Sequence, residues 1–256
     1  MENIIKSIDN EKIKRLRKLN SVKYRREFKQ FSVENAVIIR DGRLAEKLFS
    51  QLFVTQNFIN KKNTLYKEII DYDESNVYII DEKINKSFSK LDTPSGICAV
   101  YDIQDNNFKI SDQIIYLNNI SDPGNLGAIL RSALAFGFKN IVLDKKCVDV
   151  YNYKVVQAAK DSIFKLNINI DKNREIITEI KKHMDVYCTS LAGEETIIDL
   201  KDKEVYCLVF GNESHGIDKD ILELSDKLIK INISSEIESL NVASSAAIIF
   251  YELFKD

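Results

Sequence analysis

From Ile114 onward the chain keeps returning to short runs that are apolar at nearly every position. They are Ile114-Ile-Tyr-Leu, Ile141-Val-Leu, Val186-Tyr-Cys-Thr, Val205-Tyr-Cys-Leu-Val-Phe and Leu228-Ile-Lys-Ile. A strand with one wet face alternates apolar and polar residues, so a run without alternation must be covered on both faces. A further strand is expected at Phe164-Lys-Leu-Asn-Ile, and helices near 125–137, 152–161, 173–184, 217–224 and 240–254. The alternation predicts an α/β fold: a parallel sheet with helices on both faces.

The first hundred residues alternate in the same way. Ile4, Ile5, Ile8, Ile13, Leu16 and Leu19 lie close to helical spacing, so residues 3–19 read as a basic helix. Strands are expected at Phe31-Ser-Val-Glu, Leu52-Phe-Val-Thr, Val77-Tyr-Ile-Ile and Ile97-Cys-Ala-Val-Tyr-Asp, with helices at 36–48, 57–70 and 82–90. The polar stretch Asp102 to Asp112 reads as a linker. At 256 residues the chain has room for two modest domains. We place them at 1–103 and 113–256, joined by 104–112.

The net charge of −2 hides an asymmetry, because residues 1–30 hold ten Lys/Arg against four acids. A basic segment on an otherwise acidic chain reads equally as a polyanion-facing surface or as a solvated helix face. No apolar run is long enough to span a bilayer, and the N-terminus lacks the pattern of a secretion signal, so the cytoplasm is expected. The four cysteines form no C-x-x-C pair and read as free thiols. With only His183 and His215 there is no metal-ligand spacing, and no metal is expected.

Three polar segments interrupt the apolar pattern where strands end. Asn119-Ile-Ser-Asp-Pro-Gly-Asn-Leu-Gly-Ala-Ile-Leu-Arg131 joins a strand to a helix, with Asp122, Pro123 and Gly124 as helix-start residues. Asn125 and Arg131 share no helical stripe unless Asn125 lies just outside the helix. Leu208-Val-Phe-Gly-Asn-Glu-Ser-His-Gly216 puts Glu213 between two glycines that let backbone approach a ligand. Ser214 and His215 invite a hydrolase reading, but no G-x-S-x-G elbow is present. Ile231-Asn-Ile-Ser-Ser-Glu-Ile-Glu-Ser-Leu-Asn-Val242 leads into the last helix, with Ser239 able to cap it. Asn241 is not required by a helix start.

In this order the three segments resemble the motifs of the SpoU/TrmH family of RNA ribose 2'-O-methyltransferases, within the SPOUT superfamily. The family pattern N-x-G-x-x-x-R matches at Asn125, Gly127 and Arg131, and the S-L-N-V core at Ser239 to Val242. More loosely, Lys23-Tyr-Arg-Arg-Glu-Phe-Lys-Gln-Phe-Ser-Val-Glu-Asn and Pro94-Ser-Gly-Ile-Cys-Ala-Val resemble the opening and closing strands of the family's substrate-binding domain. Three departures stand out: Asn35 replaces a usual glycine, Ile231-Asn232-Ile-Ser-Ser235 lacks the family's proline and glycine, and Ala158-Ala-Lys-Asp-Ser162 stands where relatives often have a serine and a glycine.

The resemblance implies a deep trefoil knot in the C-terminal domain and a smaller ribosomal-protein-like α/β domain before it. It implies S-adenosyl-L-methionine held by Thr189, Gly211, Ile231 and Leu240. Asn125, Arg131, Glu213, Ser239 and Asn241 would form the catalytic constellation. Lys23, Arg25 and Arg26 would meet RNA, and the C-terminal domain would form a homodimer with Arg131 close to the partner's site. Ribosomal RNA, 23S in particular, fits this domain arrangement better than tRNA. An RNA-binding protein that kept the fold but lost transfer is the alternative, given Asn232 and Ser235. A guanidinium hardly deprotonates, so Arg131 is expected to hold a phosphate and stabilise the developing alkoxide, with Asn125, Glu213 and Ser239 positioning it and the ribose.

Overall fold

Two sheets carry the expected alternation in the computed structural model, which describes residues 3–70, 74–104, 110, 112–193, 195–200 and 203–254. The chain divides into one unit of Met1–Asp105 with Tyr151–Phe164 and a second of Asn106–Val150 with Lys165–Asp256. Most of the expected linker, 105–109 and 111, lies outside the described residues. No helix among the described residues is long and apolar enough to cross a membrane.

The first unit runs β1 (Asn3–Ile4), α1 (Glu11–Lys18), α2 (Val22–Phe28), β2 (Gln30–Val33), α3 (Ala36–Leu44), β3 (Gln51–Thr55), α4 (Gln56–Lys61), α5 (Asn63–Ile70), β4 (Val77–Ile80), α6 (Glu82–Phe88) and β5 (Ile97–Asp102). Its sheet is mixed, in the order β1-β4-β3-β5-β2. The helix expected over 3–19 is corrected here. Asn3 and Ile4 pair in parallel with Tyr78 and Ile79, and α1 begins only at Glu11. Asn10 starts it by accepting a 2.9 Å hydrogen bond from the Lys12 amide. The apolar spacing did report burial, since Ile5, Ile13, Leu16 and Leu19 all enter one core with Phe53, Ile80 and Phe88.

The second unit begins with β6 (Ile114–Leu117), α7 (Pro123–Ala135) and β7 (Asn140–Asp144). After β7 the chain forms α8 (Tyr153–Ala159) and α9 (Ser162–Lys165). It then continues through β8 (Asn167–Asp171), α10 (Glu175–Lys181), β9 (Val186–Thr189), β10 (Glu195–Thr196), β11 (Cys207–Phe210), α11 (Lys219–Leu222), β12 (Lys227–Lys230) and α12 (Val242–Leu253). The order is β10-β12-β9-β11-β6-β7-β8, and every pairing is parallel. Six strands form its body, with the two-residue β10 at one edge. β6, β7 and β11 are buried along their whole length, which is why their sequences carry no polar alternation.

Residues 151–164 belong to the first unit although they follow β7 in the chain. The strand expected from Phe164 is corrected with them: Ser162–Lys165 is helical and β8 starts at Asn167. Phe164 is drawn into an aromatic cluster instead, 4.7 Å from the Tyr101 ring centroid and 6.3 Å from that of Phe31. Tyr151 stands 4.4 Å from Phe31. Gly42 makes room for Phe164, since a Cβ there would lie 2.7 Å from the Phe164 ring. Phe164→Ala is expected to cost roughly 3 kcal/mol of unfolding free energy in this unit. Urea unfolding followed by circular dichroism checks it, and an unshifted midpoint would contradict the anchoring role.

Candidate active site

The loops that leave β6 and β11 lie side by side because those strands pair in register, Leu117 opposite Phe210. The β6 loop turns into α7 at Asp122, whose carboxylate accepts the Asn125 amide at 2.8 Å, with Pro123 as first helical residue. Asn125 therefore sits inside the first turn of α7. The β11 loop folds back on itself, Asn212 and Gly216 exchanging backbone hydrogen bonds of 2.9 and 3.0 Å. Gly211 is obligatory for that turn, since a Cβ would meet the Gly216 carbonyl carbon at 2.5 Å and its oxygen at 2.6 Å. Gly216 itself has φ +66°, where side chains are strained.

This geometry gathers three of the five expected catalytic residues. The Asn125 side-chain amide donates to Glu213, and the Asn241 amide donates to both Glu213 and the Asn125 carbonyl oxygen, each at 3.0 Å. Asn241 also caps α12, its Oδ1 accepting the Ala243 amide at 2.9 Å and the Ser244 amide at 3.3 Å. The expectation that Ser239 caps this helix is corrected: α12 starts at Val242, so Asn241 holds the capping position and Ser239 lies two residues before it. Ser239 is exposed in the preceding loop. Arg131 stands apart on α7, exposed, its guanidinium making no hydrogen bond or ion pair to a described residue.

Beside the cluster lies a cleft of about 500 Å³ at the carboxyl ends of β9, β11 and β12. Thr189, Gly211, Ile231 and Leu240, the four residues expected at a cofactor, all line it, as do Glu213 and Ser239. Phe210, Ile217, Ile229 and Val242 give it apolar walls. The Thr189 hydroxyl is held by the Val209 carbonyl at 3.1 Å. Lengths, walls and open loop backbone suit a nucleoside at the carboxyl edge of a parallel sheet. The lost family glycine at Ser235 needs no special backbone, because no described residue from 231 to 241 has a positive φ.

Sequence reasoning missed what holds the two loops. Asn118, fully buried, donates to Asp144 at 2.5 Å and to Asp218 at 3.0 Å, and accepts the Asp218 amide at 2.8 Å. Asp144, also buried, receives the amides of Asn119, Lys146 and Cys147. Arg174 reaches Asp144 at 3.2 Å, Asp220 at 3.0 Å and Asp218. Asn212 adds a 3.0 Å bond from its amide to the Asn119 carbonyl. Burial works against the charge on Asp218, yet hydrogen bonds from Lys146 and Asn118 and the Lys146 charge hold its pKa down at about 2.

Among the expected RNA contacts, Lys23 and Arg26 are exposed. Arg25 is corrected: it is 6% exposed and its guanidinium donates to the Leu19 carbonyl at 2.7 Å. Alternation along the helix turned one member of a basic run into the core.

Such a site, a nucleoside-sized cleft beside an amide–carboxylate cluster at the carboxyl edge of a parallel sheet, defines an α/β enzyme that works on or with a nucleotide. The chain belongs to the SpoU rRNA methylase family, whose pattern matches residues 112–251. Residues 10–99 match the MRM3-like substrate binding domain. The 23S rRNA (guanosine(2553)-2'-O)-methyltransferase RlmP of Bacillus subtilis is 26% identical over 260 residues, spanning 97% of this chain and 98% of its own. A crystallised RNA 2'-O ribose methyltransferase is 25% identical, with 98% of this chain and 97% of the other superposed at a TM-score of 0.78. The AdoMet-bound rRNA methyltransferase of Sinorhizobium meliloti, 22% identical, shares the fold over 98% of this chain and 97% of its own, at a TM-score of 0.82.

Since the folded Asp218 pKa lies below that of an unfolded aspartate, its stabilisation is complete above about pH 4 and is lost as pH falls toward 2. Asp218→Asn is expected to lower stability at pH 7 by on the order of 2 kcal/mol. Urea midpoints should show a gap between variant and wild type that is constant from about pH 7 to 5 and narrows below about 4.

Proposed function

We propose that this chain transfers the methyl group of S-adenosyl-L-methionine to a ribose 2'-hydroxyl of 23S ribosomal RNA. The observation that carries the reading is the Asn125–Glu213–Asn241 cluster beside the cleft lined by Thr189, Gly211, Ile231 and Leu240. The residues present fit the cofactor: Gly211, which the tight turn with Gly216 keeps free of a side chain, lines the cleft, and the apolar walls suit an adenine. The 23S rRNA activity of the full-length Bacillus relative and the AdoMet-bound structural neighbour support substrate and cofactor. In this reading residues 1–103 hold RNA and 113–256 carry transfer.

Bound there, S-adenosyl-L-methionine supplies a methyl carbon on a sulfonium, already a good leaving centre. The chain's task is to align the attacking hydroxyl and to stabilise it as its proton departs. Glu213, fixed by two amides, presents its remaining carboxylate capacity to the ribose, and Ser239 adds a hydroxyl from the facing loop. Arg131 holds an RNA phosphate with its planar fork and stabilises the developing alkoxide.

Arg131 acts across a homodimer in this proposal. Its own chain offers it no partner among the described residues, and α12 leaves Ile248 and Tyr251 exposed at 39% and 66%. A second copy covering that stripe would bring Arg131 to the neighbouring site. The knotted path implied by the family fits the loops that converge at β11 and before α12.

The test uses tritiated S-adenosyl-L-methionine and undermodified ribosomal RNA. The wild type is expected to label 23S RNA at a 2'-O position. Arg131→Lys should fall by roughly a hundredfold, because a point charge does not replace the fork, while cofactor affinity stays at the wild-type value. Labelling of a base, or full activity in Arg131→Lys, would contradict the mechanism.

A further inference from the structure

A second cleft opens on the same sheet edge, of about 510 Å³, and it is built from three loops that leave different strands. The loop after β7 contributes Lys145 and Lys146, the loop after β8 contributes Lys172 and Arg174, and the start of α11 contributes Lys219. Its acidic members are all engaged. Asp218 is held by Lys146 at 2.8 Å and by Arg174, Asp220 by Arg174 at 3.0 Å, and Asp171 by the Tyr116 hydroxyl at 3.2 Å and the Ile177 amide at 3.1 Å.

What remains is three lysines with no counter-charge. Lys145, Lys172 and Lys219 are exposed, and none of their ammonium groups makes a hydrogen bond or ion pair among the described residues. Three uncompensated cations converging on one concave surface repel one another and raise the local concentration of anions. They do so on a chain whose residues after the thirtieth carry an excess of acids. The polar hub beneath them is rigid, because Arg174 is braced by three carboxylates and Asn118 by two. The cleft thus has a braced floor and exposed, long-stemmed cations at its mouth.

Position selects the anion. β7 lies two places from β11 in the sheet, about 10 Å at ordinary strand spacing. The cleft is therefore a neighbour of the Glu213 loop, and Asp218 in its wall is five residues along the chain from Glu213. We infer that Lys145, Lys172 and Lys219 bind the phosphodiester backbone of the RNA strand flanking the target nucleotide, and so set which segment of RNA lies across the site. The inference rests on the methyltransferase reading for its substrate and adds an RNA-binding surface on the second unit. Lysines suit this use: they contact phosphate as point charges and add affinity without reading bases.

The test compares wild type with the full-length triple variant Lys145→Ala/Lys172→Ala/Lys219→Ala for binding of a ribosomal RNA fragment across a salt series. Lys146 and Arg174 are left in place because they hold the hub. The variant should keep wild-type affinity for S-adenosyl-L-methionine, which reports an intact second unit. Its RNA affinity should fall roughly tenfold or more near 100 mM salt, and the slope of log K against log salt should become shallower by about 2. The corresponding Lys→Arg triple variant should bind as the wild type does. Unchanged RNA affinity and slope in the alanine variant would overturn the inference, as would saturable binding of inorganic phosphate that leaves RNA binding untouched. Because the readout is RNA binding, it stands even where the wild type transfers no methyl group, a result that would sink the methyltransferase reading alone.

Discussion

The Asn118 side chain is the point on which the site depends. It is buried at the end of β6, and its amide spans from Asp144 on β7 to Asp218 beyond β11. Two buried or half-buried carboxylates so close together would repel strongly without it and without Arg174 and Lys146. With them, every polar group is paired, and the low dielectric strengthens each bond. The result is a cross-link between the loop that leads into α7 and Asn125 and the loop that carries Glu213. Neither loop has a strand partner of its own to fix it.

From that cross-link the rest follows in short steps. Asn212 fastens its loop to the Asn119 carbonyl, and its own Oδ1 accepts the Ser214 and His215 amides. Glu213 is thereby turned toward α7 and the start of α12, where two asparagine amides receive it. Asparagine serves at both places because it donates and accepts at once. Asn241 uses one end on its helix and the other on Glu213, so the same residue sets where α12 starts and where the carboxylate points. Gly211 permits the tight turn against Gly216 that closes this loop beside the neighbouring cleft.

Much of the fold was legible because parallel strands covered on both faces cannot hide their composition. The runs at Ile114 and Val186 became strands with the expected bounds. Failures came where distant partners decided the outcome. Ile4 to Leu19 show helical spacing, yet the pairing of Asn3 and Ile4 with β4 takes the first residues out of the helix. Phe164 sits in a strand-like run, but Phe31 and Tyr101, more than sixty residues away, claim its ring. At the site, Asn125, Glu213 and Asn241 could be read from their motifs. Ser239 and Asn241 are both cap formers by type, and the start of α12 at Val242 gives the role to Asn241. Asp144 and Arg174 lie in none of the three motifs, and nothing local marks a charge that will be enclosed.

The central claim is that the Asn118 cross-link builds the cofactor cleft by fixing the two loops beside it. Calorimetric titration of S-adenosyl-L-methionine into wild type and Asn118→Ala tests it most directly. Loss of the amide leaves buried carboxylate oxygens unpaired, a cost of about 1–3 kcal/mol. The account predicts saturable binding by the wild type and an affinity about tenfold or more weaker in the variant, with its circular dichroism retained. Equal affinities in the two proteins, or no binding by the wild type, would contradict it.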